Sequence, residues 1–234
     1  MSNPQLTQLA YTGIDVLETL GRATNYNSLM LDLILESSGG RSRMLDFGAG
    51  MGTFAKLLRK KGVDVVCVEP DPGLAGGLAR DGFLTFEDLN EVPDGSFEFI
   101  FTLNVLEHIA DDGATFCRLA AKLARGGRLL IYVPAFECLW TSLDGRLKHY
   151  RRYRRARLER IACSVGLAVL KTRYADSLGF FAALGFKLFG NKNGELSAQA
   201  VSFYDRYIVP LSRRLDSVLG RWIGKNVYIV ANKR

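Results

Sequence analysis

Three glycines at alternating positions, Gly48, Gly50 and Gly52, follow a short apolar run. Glycine lets a backbone turn sharply and approach a ligand closely, and the free N–H groups that open a following helix bind polar ligand atoms. Asp46 precedes this loop, and Glu69 ends the next apolar run, where a carboxylate can accept hydrogen bonds from both hydroxyls of a ribose. The pattern predicts a ribose-containing cofactor. A tight turn without a ligand is the alternative, and the third glycine comes one position too early for the dinucleotide-binding fingerprint.

Histidine is the most frequent general base in enzymes, and the chain contains two, His108 and His149. His149 lies in a polar loop, and we predict that it acts as a base or contacts a substrate; a histidine bonded to a loop carbonyl is the alternative. His108 is a second candidate for the base, and a structural role, in which it hydrogen-bonds to its own loop, is the alternative. The four residues after His149 complete a candidate acceptor site: Tyr150, Arg151, Arg152 and Tyr153. Guanidinium groups bind phosphate or carboxylate through paired hydrogen bonds, so this stretch predicts an anionic acceptor, unless the arginines only line an exposed helix face.

The elements that must hold these residues follow from the alternation of short apolar runs with amphipathic stretches. Strands are predicted at Arg43–Phe47, Val63–Val68, Phe83–Phe86, Phe97–Leu103, Arg128–Val133, Leu167–Tyr174 and Asn226–Ala231. Helices are predicted at Asp15–Glu36 (broken near Asn25–Asn27), Thr53–Lys61, Asp71–Arg80, Asp111–Ala124, Arg154–Val165, Leu178–Phe189 and Ser197–Leu219. This rhythm indicates an α/β fold with a Rossmann-like, doubly wound sheet, in which ligands bind at the carboxyl ends of the strands.

The composition is that of an ordinary globular chain, because 48% of the 234 residues are hydrophobic and 24% are charged, which excludes wholesale disorder. The four cysteines are far apart, so neither a disulfide framework nor a zinc site is predicted, and we expect no metal. No secretory signal is recognisable, and the longest apolar run, Leu178–Phe186, is too short to span a membrane. We therefore expect a cytoplasmic protein, with contact to a membrane surface left open.

The formal net charge of +7 is an average over two unlike regions. Residues 1–140 hold 12 Lys+Arg and 18 Asp+Glu, a net of −6, whereas residues 141–234 hold 19 and 6, a net of +13. Excess positive charge favours phosphate, nucleic acid or an anionic lipid surface as a partner. Nucleic-acid binding would need aromatic residues interleaved with basic ones over a broad face. Only Tyr150 and Tyr153 hint at such a face, so nucleic acid is not the favoured partner.

Six segments, in order along residues 25–134, resemble the class I S-adenosylmethionine (SAM) methyltransferases. They are Met44–Gly52, Val68–Asp71, Phe86–Leu89, Pro93–Ile100, Asn104–Ile109 and Leu123–Leu129. The stretch Asp144–Tyr153 is similar to the H-x-R-R-Y loop of a bacterial, type 11/12-like subgroup, although Lys148 stands where that subgroup has glycine. The resemblance implies SAM as the cofactor and an antiparallel last strand in a seven-stranded sheet.

The resemblance also implies a cofactor contact for each matching residue. Asp46 and the loop Gly48, Ala49, Gly50 and Gly52 would face the methionine part of SAM. Glu69 would bind the ribose, with Pro70 or Asp71 beside the adenine and with Asp88, next to Glu87, at the adenine amino group. Asn104, Val105 and His108 would line the methionine or sulfonium side, and Tyr26 would fold over the cofactor.

One domain is predicted, with a helical cap at residues 1–40, a core at 41–174 and 223–234, and a helical insertion at 175–222. Aromatic and aliphatic residues in the insertion, such as Phe180 and Phe181, predict packing on the catalytic domain or on a second copy in a homodimer. A pocket or membrane-contacting surface for a lipid-linked acceptor is the alternative. The predicted function is methyl transfer to a small or lipid-linked, anionic acceptor. An RNA methyltransferase and a SAM-binding regulatory subunit without turnover are the competing hypotheses.

Overall fold

Seven strands form one sheet in the computed structural model, which describes residues 17–18, 21–189 and 197–234. In chain order the strands are β1 (Arg43–Phe47), β2 (Asp64–Val68), β3 (Thr85–Phe86), β4 (Phe97–Leu103), β5 (Leu123–Pro134), β6 (Leu167–Ala175) and β7 (Asn226–Lys233). Each lies where an apolar run predicted a strand. β3 is shorter than predicted, and β5 begins earlier, at Leu123, because the Gly126–Gly127 turn is absorbed into the strand.

The order of strands across the sheet is β3-β2-β1-β4-β5-β7-β6. Neighbours among β1 to β5 are parallel, and β7 runs antiparallel to both β5 and β6. The predicted fold class, mostly parallel with an antiparallel last strand, is confirmed. The strand order reverses between β1 and β4, so the loops that follow these two strands open towards one crevice, where ligands of such sheets bind.

Nine α-helices surround the sheet in the described part of the chain. They are α1 (Thr24–Ser38), α2 (Thr53–Arg59), α3 (Pro72–Arg80), α4 (Asp112–Lys122), α5 (Ser142–Arg146), α6 (Arg155–Ser164), α7 (Ser177–Phe189), α8 (Ala198–Phe203) and α9 (Val209–Leu219). A π-helical turn at Tyr204–Ile208 joins α8 to α9. None of these helices is both long and apolar enough to cross a membrane.

Each face of the sheet carries its own apolar core, because successive strand residues point to opposite sides. One core packs strand residues such as Ile100 against Phe116 of α4 and Leu158 of α6. The other packs residues such as Phe99 against Met30 of α1 and against α2 and α3. These two layers hold the strands rigidly, so the loops at their carboxyl ends have fixed starting points.

Helix α1 begins near the predicted break. The helical run is interrupted at Arg22 and Ala23, just before Asn25–Asn27. The physical reason is a carboxylate from the distant insertion, Asp205, which binds the first N–H groups of α1 and so lets the helix begin at Thr24. The helix continues to Ser38, two residues beyond the predicted end at Glu36, and Gly39 follows it with a left-handed φ of 61°. Most of the predicted helix before Gly21 lies outside the described residues.

Candidate functional site

The glycine loop turns from β1 into α2 through three left-handed residues, with φ of 79° at Gly48, 56° at Gly50 and 74° at Gly52. Residues with a side chain rarely adopt these angles, and two of the positions also lack room for one. A Cβ atom on Gly48 would lie 2.3 Å from Cγ2 of Val105, and one on Gly52 would lie 2.5 Å from Cδ2 of Leu78. The loop therefore lies close against the turn after β4 and against α3.

Glu69, at the end of β2, holds this loop in place. Its Oε2 atom accepts a hydrogen bond from the Gly50 N–H at 2.7 Å, and its Oε1 atom accepts one from the Asp71 N–H at 3.0 Å. The side chain is buried, and burial raises the pKa of Glu69 although both N–H groups oppose that shift. A carboxylate has about four acceptor positions, so Glu69 retains acceptor capacity for a ligand beyond these two backbone bonds.

Asp46 places a second buried carboxyl group on β1, directly before the loop. Only 4% of its surface is exposed. Burial, helped by the nearby Glu69, raises the pKa of Asp46 to about 8, and no hydrogen bond from the described part of the chain opposes the shift. A buried carboxyl group in this condition is stabilised by a cationic ligand group.

The acidic residues predicted at the adenine side bind the backbone of their own loops. Asp71 caps α3, with Oδ1 accepting two N–H groups at 2.9 and 3.0 Å. Asp88 accepts a backbone N–H at 2.9 Å at the start of a short 3-10 turn. Glu87 and Pro70 are exposed beside these caps. All four residues lie in the loops after β2 and β3.

Asn104 follows β4 and meets Tyr26, which comes from α1. The Asn104 backbone is left-handed, with φ of 54°, and its N–H donates to the Tyr132 carbonyl at 2.8 Å. The Asn104 Nδ2 atom lies 3.4 Å from the phenol oxygen of Tyr26. Burial raises the pKa of Tyr26 to about 12, so its hydroxyl stays protonated near neutral pH. Tyr26, predicted to fold over the cofactor, thus lies beside Asn104, predicted to lie on the methionine or sulfonium side.

The two histidines form one cluster between the turn after β4 and the loop after β5. The ring centroids of His108 and His149 are 4.5 Å apart, with the rings nearly perpendicular. Nδ1 of His149 lies 2.9 Å from Oδ1 of Asp144, and Nδ1 of His108 lies 3.0 Å from the Leu147 carbonyl oxygen. Both partners are acceptors, so each Nδ1 carries the proton. Burial, with His149 close by, lowers the pKa of His108 to about 4, which keeps that ring neutral.

Asp144 fixes the orientation of His149. Its Oδ1 and Oδ2 atoms accept hydrogen bonds from Nε and Nη2 of Arg152 at 2.8 and 2.9 Å, and Oδ2 also accepts the Thr141 N–H at 2.8 Å. Burial opposes ionisation of Asp144, but the hydrogen bonds from His149 and Arg152 hold its pKa well below the usual range. The result is an ionised carboxylate behind His149, which orients the imidazole and leaves its Nε2 atom as the unprotonated nitrogen.

Glu107 lies next to both histidines and is buried. Its Oε2 atom has no hydrogen-bond partner in the part of the chain that the structure describes, and burial raises the pKa of Glu107 to about 8. One possible ligand atom from each of Glu107, His108 and His149 lies within 4.8 Å of the others. Two imidazoles and a carboxylate suit divalent transition metals, so this cluster could hold a cation, which the cysteine spacing gave no reason to predict.

The predicted acceptor residues after His149 are bound within the protein. Arg151 donates to two backbone carbonyls at 3.0 and 2.6 Å. Arg152 donates two hydrogen bonds to the Asp144 carboxylate. Tyr153 is fully buried and its hydroxyl bonds inside the core. Tyr150 alone presents its ring to solvent, with 60% of the residue exposed. These contacts argue against Arg151, Arg152 and Tyr153 as direct ligands of an acceptor.

Sequence reasoning gave no role to Asp144 and Glu107, although both lie in segments that it singled out. For Asp144 the available signal was a carboxylate in the same loop as His149, five positions earlier. For Glu107 the pattern could not tell a buried carboxyl group from an exposed one. Both residues belong to the described cluster around the histidines.

A family model described as a methyltransferase domain matches residues 21–172 of the chain. Among curated proteins, the ubiquinone biosynthesis O-methyltransferase of Bradyrhizobium sp. (strain ORS 278) is 31% identical over 110 residues, which make up 43% of this chain and 42% of that protein. The match therefore spans less than half the length of this relative.

Two solved structures are similar in fold. A SAM-dependent methyltransferase from Archaeoglobus fulgidus has a TM-score of 0.59 at 16% identity, covering 88% of this chain and 94% of that one. Geranyl diphosphate C-methyltransferase from Streptomyces coelicolor A3(2), in complex with Mg²⁺, geranyl diphosphate and S-adenosyl-L-homocysteine, has a TM-score of 0.61 at 13% identity, covering 88% of this chain and 77% of that one. Because the family model covers more than half of the sequence, the chain belongs to the SAM-dependent methyltransferases.

Proposed function

We propose that SAM binds in the crevice bounded by the glycine loop, Asp46 and Glu69. The polar groups of this crevice fit the ammonium group and the ribose of this cofactor. The buried Asp46 suits an ammonium group, and the spare acceptor positions of Glu69 suit ribose hydroxyls. Further contacts are proposed for Tyr26, Ala49, Pro70, Asp71, Glu87, Asp88, Asn104, Val105 and His108.

We infer that the reaction is methyl transfer to a hydroxyl group, with His149 as the proton acceptor. SAM, when bound, supplies an electrophilic methyl group whose bonding electron pair stays with sulfur as the acceptor oxygen takes the methyl. His149 takes the hydroxyl proton on Nε2, because its Nδ1 already carries a proton towards Asp144. The ionised Asp144 stabilises the imidazolium that results. The protein's remaining task is to align the acceptor and exclude water.

The observation that carries this function is the Asp144–His149 hydrogen bond at the same end of the sheet as the glycine loop. The test is formation of S-adenosylhomocysteine from SAM with a panel of phenols and catechols, comparing the wild type with His149→Ala. Loss of turnover with unchanged SAM affinity supports the role. Unchanged turnover would remove His149 from it, and no SAM binding at millimolar concentration would remove the cofactor assignment itself.

For the acceptor we propose a small or lipid-linked phenol. The name of the Bradyrhizobium relative, a ubiquinone biosynthesis O-methyltransferase, supports a small-molecule acceptor. The loop Asp144–Tyr153 supports the H-x-R-R-Y subgroup. An anionic group on the acceptor finds its support in the net charge of residues 141–234 rather than in Arg151 and Arg152, which have internal partners. Exposed basic residues of the insertion are the remaining candidates.

The insertion also carries a surface suited to a membrane. Five exposed apolar residues form what we call the apolar stripe: Phe203, Tyr207, Leu211, Val218 and Trp222, each at least 47% exposed. Phe203 ends α8, Tyr207 lies in the π-helical turn, Leu211 and Val218 lie in α9, and Trp222 lies in the turn after α9. Their spacings of four and seven residues are those of residues on one side of a helical segment. Arg206, Arg214 and Arg221 are exposed beside them. Aromatic residues flanked by arginine suit the interface of an anionic membrane, which would bring a lipid-linked acceptor to the crevice.

A further inference from the structure

Helix α1 has no N-terminal cap of its own. Ala23 occupies the capping position and its side chain accepts no hydrogen bond, although the first N–H groups of a helix have no intrahelical partner. The carboxylate of Asp205, in the π-helical turn of the insertion, takes this place. Its Oδ2 accepts the Asn25 N–H at 3.1 Å and its Oδ1 accepts the Tyr26 N–H at 2.8 Å. A residue 180 positions away therefore caps α1.

The π-helical turn is fixed on its other side as well. Tyr204, next to Asp205, donates its hydroxyl to Oδ2 of Asp176 at 2.5 Å. Asp176 directly follows β6 and is buried, as is Asp205. Two consecutive side chains thus tie the insertion to the sheet and to α1 at once. π-helical turns often occur at functional sites, and here the turn lets both side chains reach their partners.

Tyr26 connects this cap to the crevice. Asp205 holds its backbone N–H, while its phenol oxygen lies 3.4 Å from Nδ2 of Asn104. We propose that Asp205 is a positioning residue for the cofactor, which holds Tyr26 against Asn104 and thereby couples the docking of the insertion to the binding of SAM. The inference rests on the proposed function, because Tyr26 and Asn104 are proposed cofactor contacts.

The coupling has a consequence for the acceptor. The insertion carries the apolar stripe, so an acceptor or membrane that holds the insertion in place also holds the first turn of α1. Linkage is reciprocal for binding free energies. SAM should therefore favour the docked insertion by the same factor by which the docked insertion favours SAM.

The first test is calorimetry with S-adenosylhomocysteine on Asp205→Asn. Asparagine keeps the size but replaces one of the two acceptor oxygens with a donor, so either the Asn25 or the Tyr26 N–H loses its acceptor. We expect binding weaker by about tenfold, the scale of one N–H group left unpaired. The matched control is Asp32→Asn. It breaks a different polar contact between α1 and the insertion, the Arg213–Asp32 ion pair at 2.9 Å, without touching Tyr26. This variant should bind within about twofold of the wild type.

A double-mutant cycle separates positioning from general destabilisation. If Asp205 acts through Tyr26, the combination of Asp205→Asn with Tyr26→Ala should bind about as weakly as Tyr26→Ala alone. Additive losses would overturn the proposal. Equal affinity of the wild type and Asp205→Asn would overturn it too.

Hydrogen exchange on the wild type keeps the test valid even if Asp205→Asn fails to fold. Adding S-adenosylhomocysteine should slow exchange of the amides of Asn25 and Tyr26 and of the turn Tyr204–Ile208 together. Slowing at the glycine loop without slowing at these amides would contradict the coupling. No slowing anywhere, with no heat of binding, would instead contradict the proposed function.

Discussion

Asp144 binds His149 and Arg152 with the same carboxylate, so the proposed base and an arginine of the acceptor loop share one buried anion. Oδ1 lies 2.9 Å from Nδ1 of His149 and 2.8 Å from Nε of Arg152. The ion pair with Arg152 keeps the carboxylate charged, and the charged carboxylate fixes the tautomer of the imidazole. We therefore expect Arg152 to affect the proposed proton transfer through Asp144 rather than through contact with the acceptor.

The first prediction concerns Asp144→Asn. The amide can donate to Nδ1, which would move the imidazole proton to Nε2 and remove the acceptor atom. We expect kcat to fall by about 10²-fold or more, the usual contribution of a positioned general base. The Kd of SAM should stay within about twofold, since the side chain of Asp144 bonds to Thr141, His149 and Arg152 and to no proposed cofactor contact. Steady-state release of S-adenosylhomocysteine and calorimetry measure the two quantities. Equal losses in both would indicate a collapsed site rather than a lost base.

Removal of metal ions distinguishes the two possible tasks of His149. As a base it must have a free Nε2 atom, so EDTA should leave the rate unchanged. A loss of activity that Mn²⁺ or Zn²⁺ restores would indicate that Glu107, His108 and His149 bind a metal ion. That result would contradict the proton-transfer role, because a metal-bound imidazole nitrogen cannot accept a proton.

Lys148 gives a stability prediction in the same loop. Its φ of 55° lies in the left-handed region, which costs a residue with a side chain about 1–2 kcal/mol. Lys148→Gly should therefore raise the free energy of unfolding by about 0.5–1 kcal/mol, after allowing for the extra freedom of glycine in the unfolded chain. Lys60→Gly is the matched control: this lysine is also exposed but has φ of −63°, and its replacement should destabilise. Urea unfolding of both variants decides, and a loss of stability in Lys148→Gly contradicts the prediction.

The sequence predicted those features that depend on local pattern. Apolar runs identified all seven strands, and the glycine spacing predicted a turn that has three left-handed residues. Lys148, noted as a departure from glycine, does adopt a backbone angle that favours glycine. Here residue type and local conformation determine each other, so the prediction needed no knowledge of distant contacts.

Features that depend on distant contacts were not predictable in this way. Asp205 caps α1 across 180 positions, and no local pattern marks it. Arg151 and Arg152 have the composition of an anion site, but carbonyl and carboxylate groups inside the protein bind them. A guanidinium group has the same donors towards an internal partner as towards a ligand, so only the fold distinguishes the two.

The buried Asp46 predicts how stability depends on pH. Its pKa rises from 3.8 to about 8 on folding, so the folded state binds the proton more tightly than the unfolded state does. Between these two pH values the unfolded state has lost the Asp46 proton while the folded state keeps it, so folding takes up a proton. The free energy of unfolding should therefore fall as pH rises. Asp46→Asn removes this term, so its stability relative to the wild type should increase from pH 5.5 to pH 8. Glu69 shares the site and its pKa is also raised; Glu69→Gln serves as the comparison. A difference between Asp46→Asn and wild type that does not change with pH contradicts the assignment.

The apolar stripe predicts binding to anionic vesicles. Phe203 and Trp222 are 60% and 63% exposed, and inserting their rings into the interface should contribute to binding alongside the electrostatic attraction of the neighbouring arginines. Wild-type protein should co-sediment with phosphatidylglycerol vesicles and not with phosphatidylcholine vesicles. Replacing both aromatic residues with serine should weaken binding by about tenfold or more, given about 1.5–3 kcal/mol for each fully buried large side chain. Leu170→Ser is the control, since this residue is 50% exposed on β6, outside the stripe, and should leave binding unchanged. If the stripe instead pairs two copies of the chain, sedimentation velocity will show a dimer that the double variant abolishes, and vesicle binding will be absent in the wild type.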